Sequence, residues 1–318
     1  MTLSPILVGD VGGTNCRFAL AQENSEGTIE LSNTVRMSVS KYANFYEALD
    51  EYLLSLEQTP KFAAFALAGP YFNGAIQMTN IDWQVSEVEL KSRFGFSAAA
   101  LANDFAAMAR GAALIPDDGF DTVIAGKVNY AQPVAVLGPG TGLGVAGILP
   151  GKPVRIVPTE GGHAAFAPQD DLQIEVLKIL SKTSGFVATE HVLSGPGLLR
   201  LYQTICQIDG QAPIATKPNE VVAAAEVNPK STARKAVICF CDILGGFSGN
   251  VAHIFGASGG VIIAGGVSRH IAPFLAESNF KARFNARGKG TWFTQDIPVR
   301  LLHAHFVALY GAAALIGD

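Results

Sequence analysis

The chain has 318 residues, of which 49% are apolar and 16% charged, and its formal net charge is −4. At roughly 150 residues per domain this length predicts two domains, and the composition excludes an intrinsically disordered chain. The sequence contains no block of Lys and Arg of the kind that favours nucleic acid as a partner. It also contains no uninterrupted apolar run of the roughly 18 residues that a membrane span needs. We therefore expect a cytoplasmic protein with small ligands and no membrane partner.

The sequence has four cysteines, which are Cys16, Cys206, Cys239 and Cys241. No two of them form a C-x-x-C pair, so the usual zinc-binding spacing is missing. We expect buried, reduced thiols.

A first glycine-rich turn follows the apolar run Ile6–Val8. The turn comprises Gly9-Asp10-Val11-Gly12-Gly13-Thr14-Asn15, and a second apolar run follows at Cys16–Ala21. This pattern predicts a β-hairpin. Its glycines allow backbone N–H groups to approach phosphate oxygens, and Thr14 adds a hydroxyl. Asp10 is a candidate Mg²⁺ anchor, because hard cations prefer carboxylate oxygens. An ordinary hairpin turn is the alternative.

A second hairpin is predicted where Val134–Leu137 leads through Gly138-Pro139-Gly140-Thr141-Gly142 into Leu143–Leu149. Gly140-Thr141 repeats Gly13-Thr14 at an offset of 127 residues. The repetition predicts two related α/β domains, each offering a phosphate loop to a shared cleft. Chance similarity between glycine-rich turns is the alternative.

Other nucleotide-binding signatures are excluded. Gly142-x-Gly144-x-x-Gly147 matches the dinucleotide fingerprint, which should open a helix, whereas Val145–Leu149 reads as a strand. The P-loop and the protein-kinase signatures are absent.

Hydrophobic periodicity predicts further elements. The predicted strands are Phe62–Ala68, Ala98–Ala102 and Val261–Ala264, and the predicted helices are Asn44–Ser55, Leu172–Ser181, Gly197–Ile208, Ser231–Phe255 and Phe306–Ile316.

The longest predicted helix, Ser231–Phe255, carries one apolar stripe made of Ala233, Val237, Phe240, Leu244, Phe247, Val251 and Ile254. Gly245, Gly246 and Gly249 interrupt this helix, although each costs roughly 1 kcal/mol against Ala. We expect a neighbouring backbone to approach closely there, as at a helix crossing.

Polar side chains that could act on a substrate hydroxyl follow the Ala98–Ala102 strand. Asp104 could accept a proton, and Asn103 could orient a sugar hydroxyl as both donor and acceptor. The alternative is ordinary turn chemistry.

Two more segments carry carboxylates beside glycines. Glu160-Gly161-Gly162-His163 joins a carboxylate and an imidazole on one loop, and Glu190 precedes Ser194-Gly195-Pro196-Gly197. Fixed donors and acceptors of this kind suit sugars. A metal ligand at His163 and a solvated surface position for Glu190 are the alternatives.

The small residues Gly265 and Gly266 end the predicted strand Val261–Ala264 and would let a flat adenine ring lie against the backbone. A buried strand between glycine turns is the alternative.

Taken together and in order, these motifs resemble those of the bacterial glucokinase family, within the hexokinase–actin–Hsp70 ATPase superfamily. The motifs are Val8–Asn15, Leu101–Phe105, Gly140–Gly144, Glu160–His163, Leu193–Leu198 and Ala264–Gly266. The resemblance implies two actin-like ATPase (ribonuclease H-like) α/β domains with an interdomain cleft. The expected small domain comprises residues 1–108 with about 299–318, and the large one residues 109–298.

The resemblance also implies ATP-dependent phosphorylation of D-glucose to glucose 6-phosphate, with Mg²⁺ as helper ion, and we expect a homodimer. Asp104 would be the general base. The sugar would be bound by Asn103, Asp104, Glu160, His163 and Glu190. ATP would be bound by Gly9, Asp10, Gly12, Gly13, Thr14, Asn15, Gly140, Thr141, Gly142, Gly265 and Gly266.

The chain lacks the Cys-rich zinc motif that the neighbouring ROK sugar kinases carry after the His, which favours the zinc-free branch. Cys16 departs from the small inert residue expected beside the first loop, and is interpreted as a buried spectator or an oxidisable thiol. Fructose, mannose or an N-acetylhexosamine as the acceptor is one alternative. A non-catalytic sugar sensor and an actin-like polymerising ATPase are two others.

Overall fold

The computed structural model describes residues 4–25 and 27–316. The described chain divides into two compact units. Unit 1 holds the residues up to Pro116, the segment Lys152–Pro158 and the residues from Ala304 onwards, and unit 2 holds Asp117–Gly151 and Thr159–His303.

The β-strands are β1 Ile6–Val11, β2 Asn15–Glu23, β3 Ile29–Ser38, β4 Phe62–Leu67, β5 Tyr71–Phe72, β6 Ala75–Gln77, β7 Gln84–Ser86, β8 Ala98–Asn103, β9 Phe120–Ile124, β10 Val134–Pro139, β11 Leu143–Leu149, β12 Arg155–Thr159, β13 Gly260–Ile263 and β14 Val299–Leu302.

The α-helices are α1 Phe45–Leu54, α2 Glu87–Phe94, α3 Asp104–Ala112, α4 Asp171–Ser184, α5 Gly195–Ile208, α6 Pro218–Val227, α7 Thr232–Phe255, α8 Gly266–Leu275, α9 Phe280–Asn285, α10 Thr291–Thr294 and α11 Val307–Ala313.

The main sheet of unit 1 has the order β3-β2-β1-β4-β8, with β1 antiparallel to β2 and parallel to β4. One face of this sheet packs against α1, where the rings of Phe18, Phe45 and Phe65 meet edge to face. On the other face lies α11, whose buried Leu309 joins Val8 and other small residues of the sheet. Burial of apolar surface on both faces therefore fixes this sheet between helices.

A second sheet has the order β12-β11-β10-β13-β14-β9. Its central strand β10 is antiparallel to β11 and parallel to β13, so the hairpin and the parallel strand that follows it repeat the arrangement of β2, β1 and β4. Both predicted hairpins are confirmed. The strand β11 continues without opening a helix, which agrees with the rejection of the dinucleotide fingerprint.

The core of unit 2 is built around the 24-residue helix α7, whose N-cap Ser231 accepts a hydrogen bond from the Arg234 N–H. By length and hydropathy this helix could cross a membrane, but 78% of its most apolar window is buried inside the protein. A hydrophobic helix buried by protein on most sides is a core helix.

Two of the three glycines of α7, Gly245 and Gly249, meet a neighbouring backbone as predicted. A side chain at Gly245 or Gly249 would collide with the backbone of α9, at Phe280 and Phe284 respectively. At Gly246 the close neighbour is the side chain of Gln169. The glycines therefore permit a close helix crossing, and their loss of helix propensity is offset by packing.

The predicted apolar stripe is wrong at one position, Ile254. Ile254 is 77% exposed, whereas Val251 one turn earlier is buried. The reason is that α7 reaches the surface in its last turn, before Gly256 ends it in a left-handed conformation.

Candidate active site

The predicted catalytic residues of unit 1 lie at the edge where the parallel strands β1, β4 and β8 end. Val11 is in register with Leu67, and Leu67 is in register with Asn103. Neighbouring strands lie about 4.8 Å apart, so the first loop and the Asn103–Asp104 pair are about 10 Å from each other. Topology thus brings together two motifs that are separated by about ninety residues in the sequence.

Asn103 is the N-cap of α3. Its Oδ1 accepts hydrogen bonds from the N–H groups of Phe105 (3.0 Å) and Ala106 (3.1 Å), and its Nδ2 donates to the Gly69 carbonyl at 3.1 Å. These bonds satisfy helix N–H groups that would otherwise lack partners. Asn103 therefore fixes the start of the helix, and the remaining hydrogen of its Nδ2 is what it can offer a ligand.

Asp104 is the first residue of α3 and is partly buried. Its Oδ1 accepts the Phe105 N–H at 2.8 Å. A carboxylate in the first turn is stabilised by the positive end of the helix dipole. The arrangement presents a hydrogen-bonded carboxylate at the end of the strands.

The first loop is closed by a hydrogen bond from the Gly12 N–H to the Asn15 carbonyl at 3.0 Å. Thr14 at its tip is exposed, and its carbonyl accepts the Val39 N–H at 3.1 Å. A Cβ at Gly13 would lie 2.8 Å from the Cβ of Asn80, so this glycine is required for packing.

Two residues predicted to bind ATP have structural partners of their own. Gly9 is buried within β1, and a Cβ there would lie 2.6 Å from the Phe65 ring. The Asn15 Oδ1 accepts the Arg36 Nε–H at 3.0 Å. Each has a packing or pairing role in unit 1, which the sequence motif by itself does not reveal.

Asp10 forms an ion pair with Arg17, with 3.0 Å between Oδ2 and a guanidinium nitrogen. The two residues lie directly opposite each other on β1 and β2. Burial raises the pKa of the Asp10 carboxyl, and the nearby charge of Arg17 opposes that shift. Sequence reasoning missed Arg17, although the hairpin register would have placed it opposite Asp10.

The second loop is braced by residues distant in sequence. The Gly140 N–H donates to the Gly142 carbonyl at 2.8 Å, and the Gly140 carbonyl accepts the Gly195 N–H at 2.8 Å. At the other side of the loop, the Leu143 N–H donates to Oε2 of Glu190 at 2.7 Å. Thr141 at the tip is exposed. The loop is therefore fastened to the segment that carries Glu190 and the start of α5.

Glu160 and His163 lie on one short 3₁₀ turn, with 3.8 Å between Glu160 Oε2 and His163 Nε2. Their side chains are 75% and 62% exposed. A side chain at Gly162 would collide with the Leu143 carbonyl, so this turn packs closely on the start of β11. Unit 2 thus brings Glu160, His163 and Glu190 together around the second loop.

Gly265 and Gly266 stand at the N-terminus of α8. Gly265 has φ +87°, a conformation that glycine adopts without strain. A Cβ at Gly138 would lie 2.6 Å from the Ala264 carbonyl carbon, so β10 and this turn are in close contact, while the space beside Gly266 is open. Open space next to a helix N-terminus suits a nucleotide.

Within the described ranges, no group of three or more His, Cys, Asp and Glu side chains is placed to hold a metal ion. All four cysteines are free and buried, as predicted. Burial raises the pKa of the Cys16 thiol to about 11.

Comparison with known proteins shows the family to which the chain belongs. A sequence profile described as Glucokinase matches residues 7–318. The chain is 35% identical to a glucokinase of Saccharophagus degradans over 99% of this chain and 98% of that one, and 38% identical to a glucokinase of Hahella chejuensis over 96% and 95%. The chain belongs to the glucokinase family.

Solved structures agree on the fold. The crystal structure of a glucokinase from an Antarctic psychrotroph superposes with a TM-score of 0.89 at 31% identity, covering 99% of both chains. A ROK family glucokinase from Streptomyces griseus, in complex with glucose and AMPPNP, has a TM-score of 0.68 at 19% identity over 98% of both chains. The chain therefore has the actin-like ATPase fold predicted for it, and its activity is that of an ATP-dependent hexose kinase of the glucokinase type.

Proposed function

We propose that the chain phosphorylates the 6-hydroxyl of D-glucose with ATP and Mg²⁺, and that Asp104 is the general base. The observation that carries the role of Asp104 is its placement: a hydrogen-bonded carboxylate at the first position of α3, directly after the Asn103 cap. As phosphoryl transfer proceeds, this carboxylate takes the hydroxyl proton while the oxygen forms its bond to the γ-phosphorus and the bond to ADP breaks.

The sugar-binding set is proposed to be Asn103, Asp104, Glu160, His163 and Glu190. The carboxylates accept hydrogen bonds from ring hydroxyls, and the Asn103 amide and the His163 imidazole can donate. The high exposure of Glu160 and His163 supports this role, because their polar atoms are accessible to a ligand.

The nucleotide is proposed to lie against the two glycine loops and the Gly265–Gly266 turn. Asp10 is the proposed Mg²⁺ residue. Its Oδ2 pairs with Arg17, and its side chain retains 22% exposure, so part of the side chain is accessible to a hydrated ion. Mg²⁺ usually keeps several waters and needs only one or two carboxylates beside the substrate phosphates, which this donor set fits. The bound ion would neutralise charge on the phosphates.

We also propose that the chain acts in the cytoplasm as a homodimer. Size-exclusion chromatography with light scattering, at several concentrations, tests the dimer: a monomeric mass throughout would refute it.

The sugar is tested by coupled ADP release with glucose, fructose, mannose and N-acetylglucosamine, each against a sugar-free control. We expect glucose to give the highest kcat/KM and the sugar-free rate to be far lower. A higher kcat/KM for another hexose would identify that hexose as the preferred substrate. ADP release at the same rate with and without sugar would refute the assignment as a sugar kinase.

The base is tested by Asp104→Asn, which keeps the size of the side chain but removes its capacity to accept a proton. We expect kcat to fall by about 10²–10⁴, with a much smaller change in glucose affinity. Glu160→Gln is the matched control, because loss of a hydroxyl acceptor should appear mainly in KM. If Asp104→Asn kept more than a tenth of kcat while losing affinity, Asp104 would be a binding residue.

A further inference from the structure

Glu190, which is proposed above to bind the sugar, also contacts the second loop. Its Oε2 accepts the Leu143 N–H at 2.7 Å, across 47 positions of the chain. A side chain at Gly142 would collide with the same carboxylate. The loop glycine and the carboxylate therefore fit against each other, and the hydrogen bond fixes the residue where the loop enters β11.

The backbone that carries Glu190 is itself held on both sides. Ser194 Oγ donates to the Glu190 carbonyl at 2.8 Å and accepts the Gly197 N–H at 3.0 Å. The preceding Thr189 N–H donates to the Ala164 carbonyl at 2.8 Å, close after the Glu160–His163 turn. A carboxylate on so constrained a backbone can position the loop that it contacts.

An ionised carboxylate has two acceptor oxygens. In Glu190 the Oε2 atom bonds to the loop, and Oε1 has no hydrogen-bond partner in the described part of the protein. We propose that Glu190 is a positioning residue for the phosphate loop, holding the loop in its nucleotide-binding conformation through Leu143 while its second oxygen is left for the sugar. The sugar half of this inference rests on the proposed function, and the loop half does not.

The physical consequence is that nucleotide affinity depends on Glu190 even when no sugar is present. The proposal requires that the loop offers its N–H groups to phosphate oxygens in the conformation described here, and a hydrogen bond to a charged acceptor biases the loop toward that conformation. Without the bond the loop samples other conformations. The measured nucleotide affinity then falls in proportion to the fraction of molecules whose loop is in the nucleotide-binding conformation.

The experiment measures the equilibrium affinity of the Mg²⁺ complex of AMPPNP by calorimetry, without sugar, for the wild type and three variants. Glu190→Ala removes the loop bond and should weaken binding about tenfold. Glu190→Gln keeps a carbonyl oxygen that can accept the Leu143 N–H, so its nucleotide affinity should recover to within about threefold of the wild type. Glu160→Ala removes an exposed carboxylate that makes no bond to the loop, and should leave AMPPNP affinity unchanged.

Glucose KM, measured on the same proteins, separates the two proposals. Glu190→Gln and Glu160→Ala should both raise it, because each alters a hydroxyl acceptor. Wild-type AMPPNP affinity in Glu190→Ala would overturn the loop role. Equal losses of AMPPNP affinity in the Ala and Gln variants would also overturn it, since the bond would not then be responsible. Weakened AMPPNP binding with unchanged glucose KM would uphold the loop role and refute only the sugar role.

Discussion

The two glycine-rich hairpins look alike in sequence but are supported in different ways. In the first, Asp10 pairs with Arg17 on the adjacent strand and the Gly12 N–H closes the turn onto Asn15, while Val39 and Asn80 contact the loop at Thr14 and Gly13. In the second, Gly140 is bonded to Gly195 and Leu143 to Glu190, both about fifty residues further along.

The turns themselves also differ. In the first hairpin Val11 faces Cys16 across the ladder, whereas in the second Pro139 faces Leu143, so the second loop is one residue shorter. Aligning Gly13-Thr14 with Gly140-Thr141 therefore hides a change of register. Similar motifs can reach the same hairpin fold with different turns, and each turn then needs its own supporting contacts.

The largest effect is expected at Gly138, where the second hairpin packs against the backbone of Ala264 and Gly265. Gly138→Ala should destabilise the protein by about 3 kcal/mol, because a main-chain neighbour cannot rotate away from the new Cβ. Urea unfolding measures this loss. Gly266→Ala is the control, since nothing lies within 4 Å of its Cβ, and it should be neutral or stabilising. Equal stability of both variants would contradict the close contact.

A smaller effect separates the two aligned loop glycines. Gly13→Ala would place its Cβ against that of Asn80 and should cost about 1 kcal/mol, whereas the Cβ of Gly140→Ala would have open space. Neither glycine has a positive φ, so Gly140→Ala should gain about 0.4–1 kcal/mol by restricting the unfolded chain. Thermal melting should therefore shift in opposite directions. Shifts of the same sign would show that the loops are supported alike.

The smallest effect concerns Cys16, which occupies the position in the first hairpin that Leu143 occupies in the second. With its pKa raised to about 11 by burial, about one Cys16 in a thousand is a thiolate at pH 8. The folded protein should react very slowly with Ellman's reagent, and urea should release four thiols. A fast-reacting thiol that disappears in Cys16→Ser would restore the interpretation of Cys16 as an oxidisable group.

The sequence by itself determined the local elements, because their signals are carried by adjacent residues. Both hairpins, the strand before Asn103 and the helix α7 with its glycine crossing were predictable from turn residues and apolar periodicity. The order of the motifs was enough to predict the family and the fold. The helix α3 was missed, although Asn103 followed by an Ala-rich segment is a helix-start signal.

Only the tertiary structure decided which residues support which loop. Long-range bonds such as Leu143 to Glu190 leave no periodic trace in the sequence, because they depend on strands and helices packing together after they form. The same holds for Gly9, which reads as part of a phosphate motif and is buried against Phe65, and for Ile254, which reads as core and lies at the surface. Periodicity specifies which side of an element is apolar, and tertiary packing determines where that side is covered and where it ends.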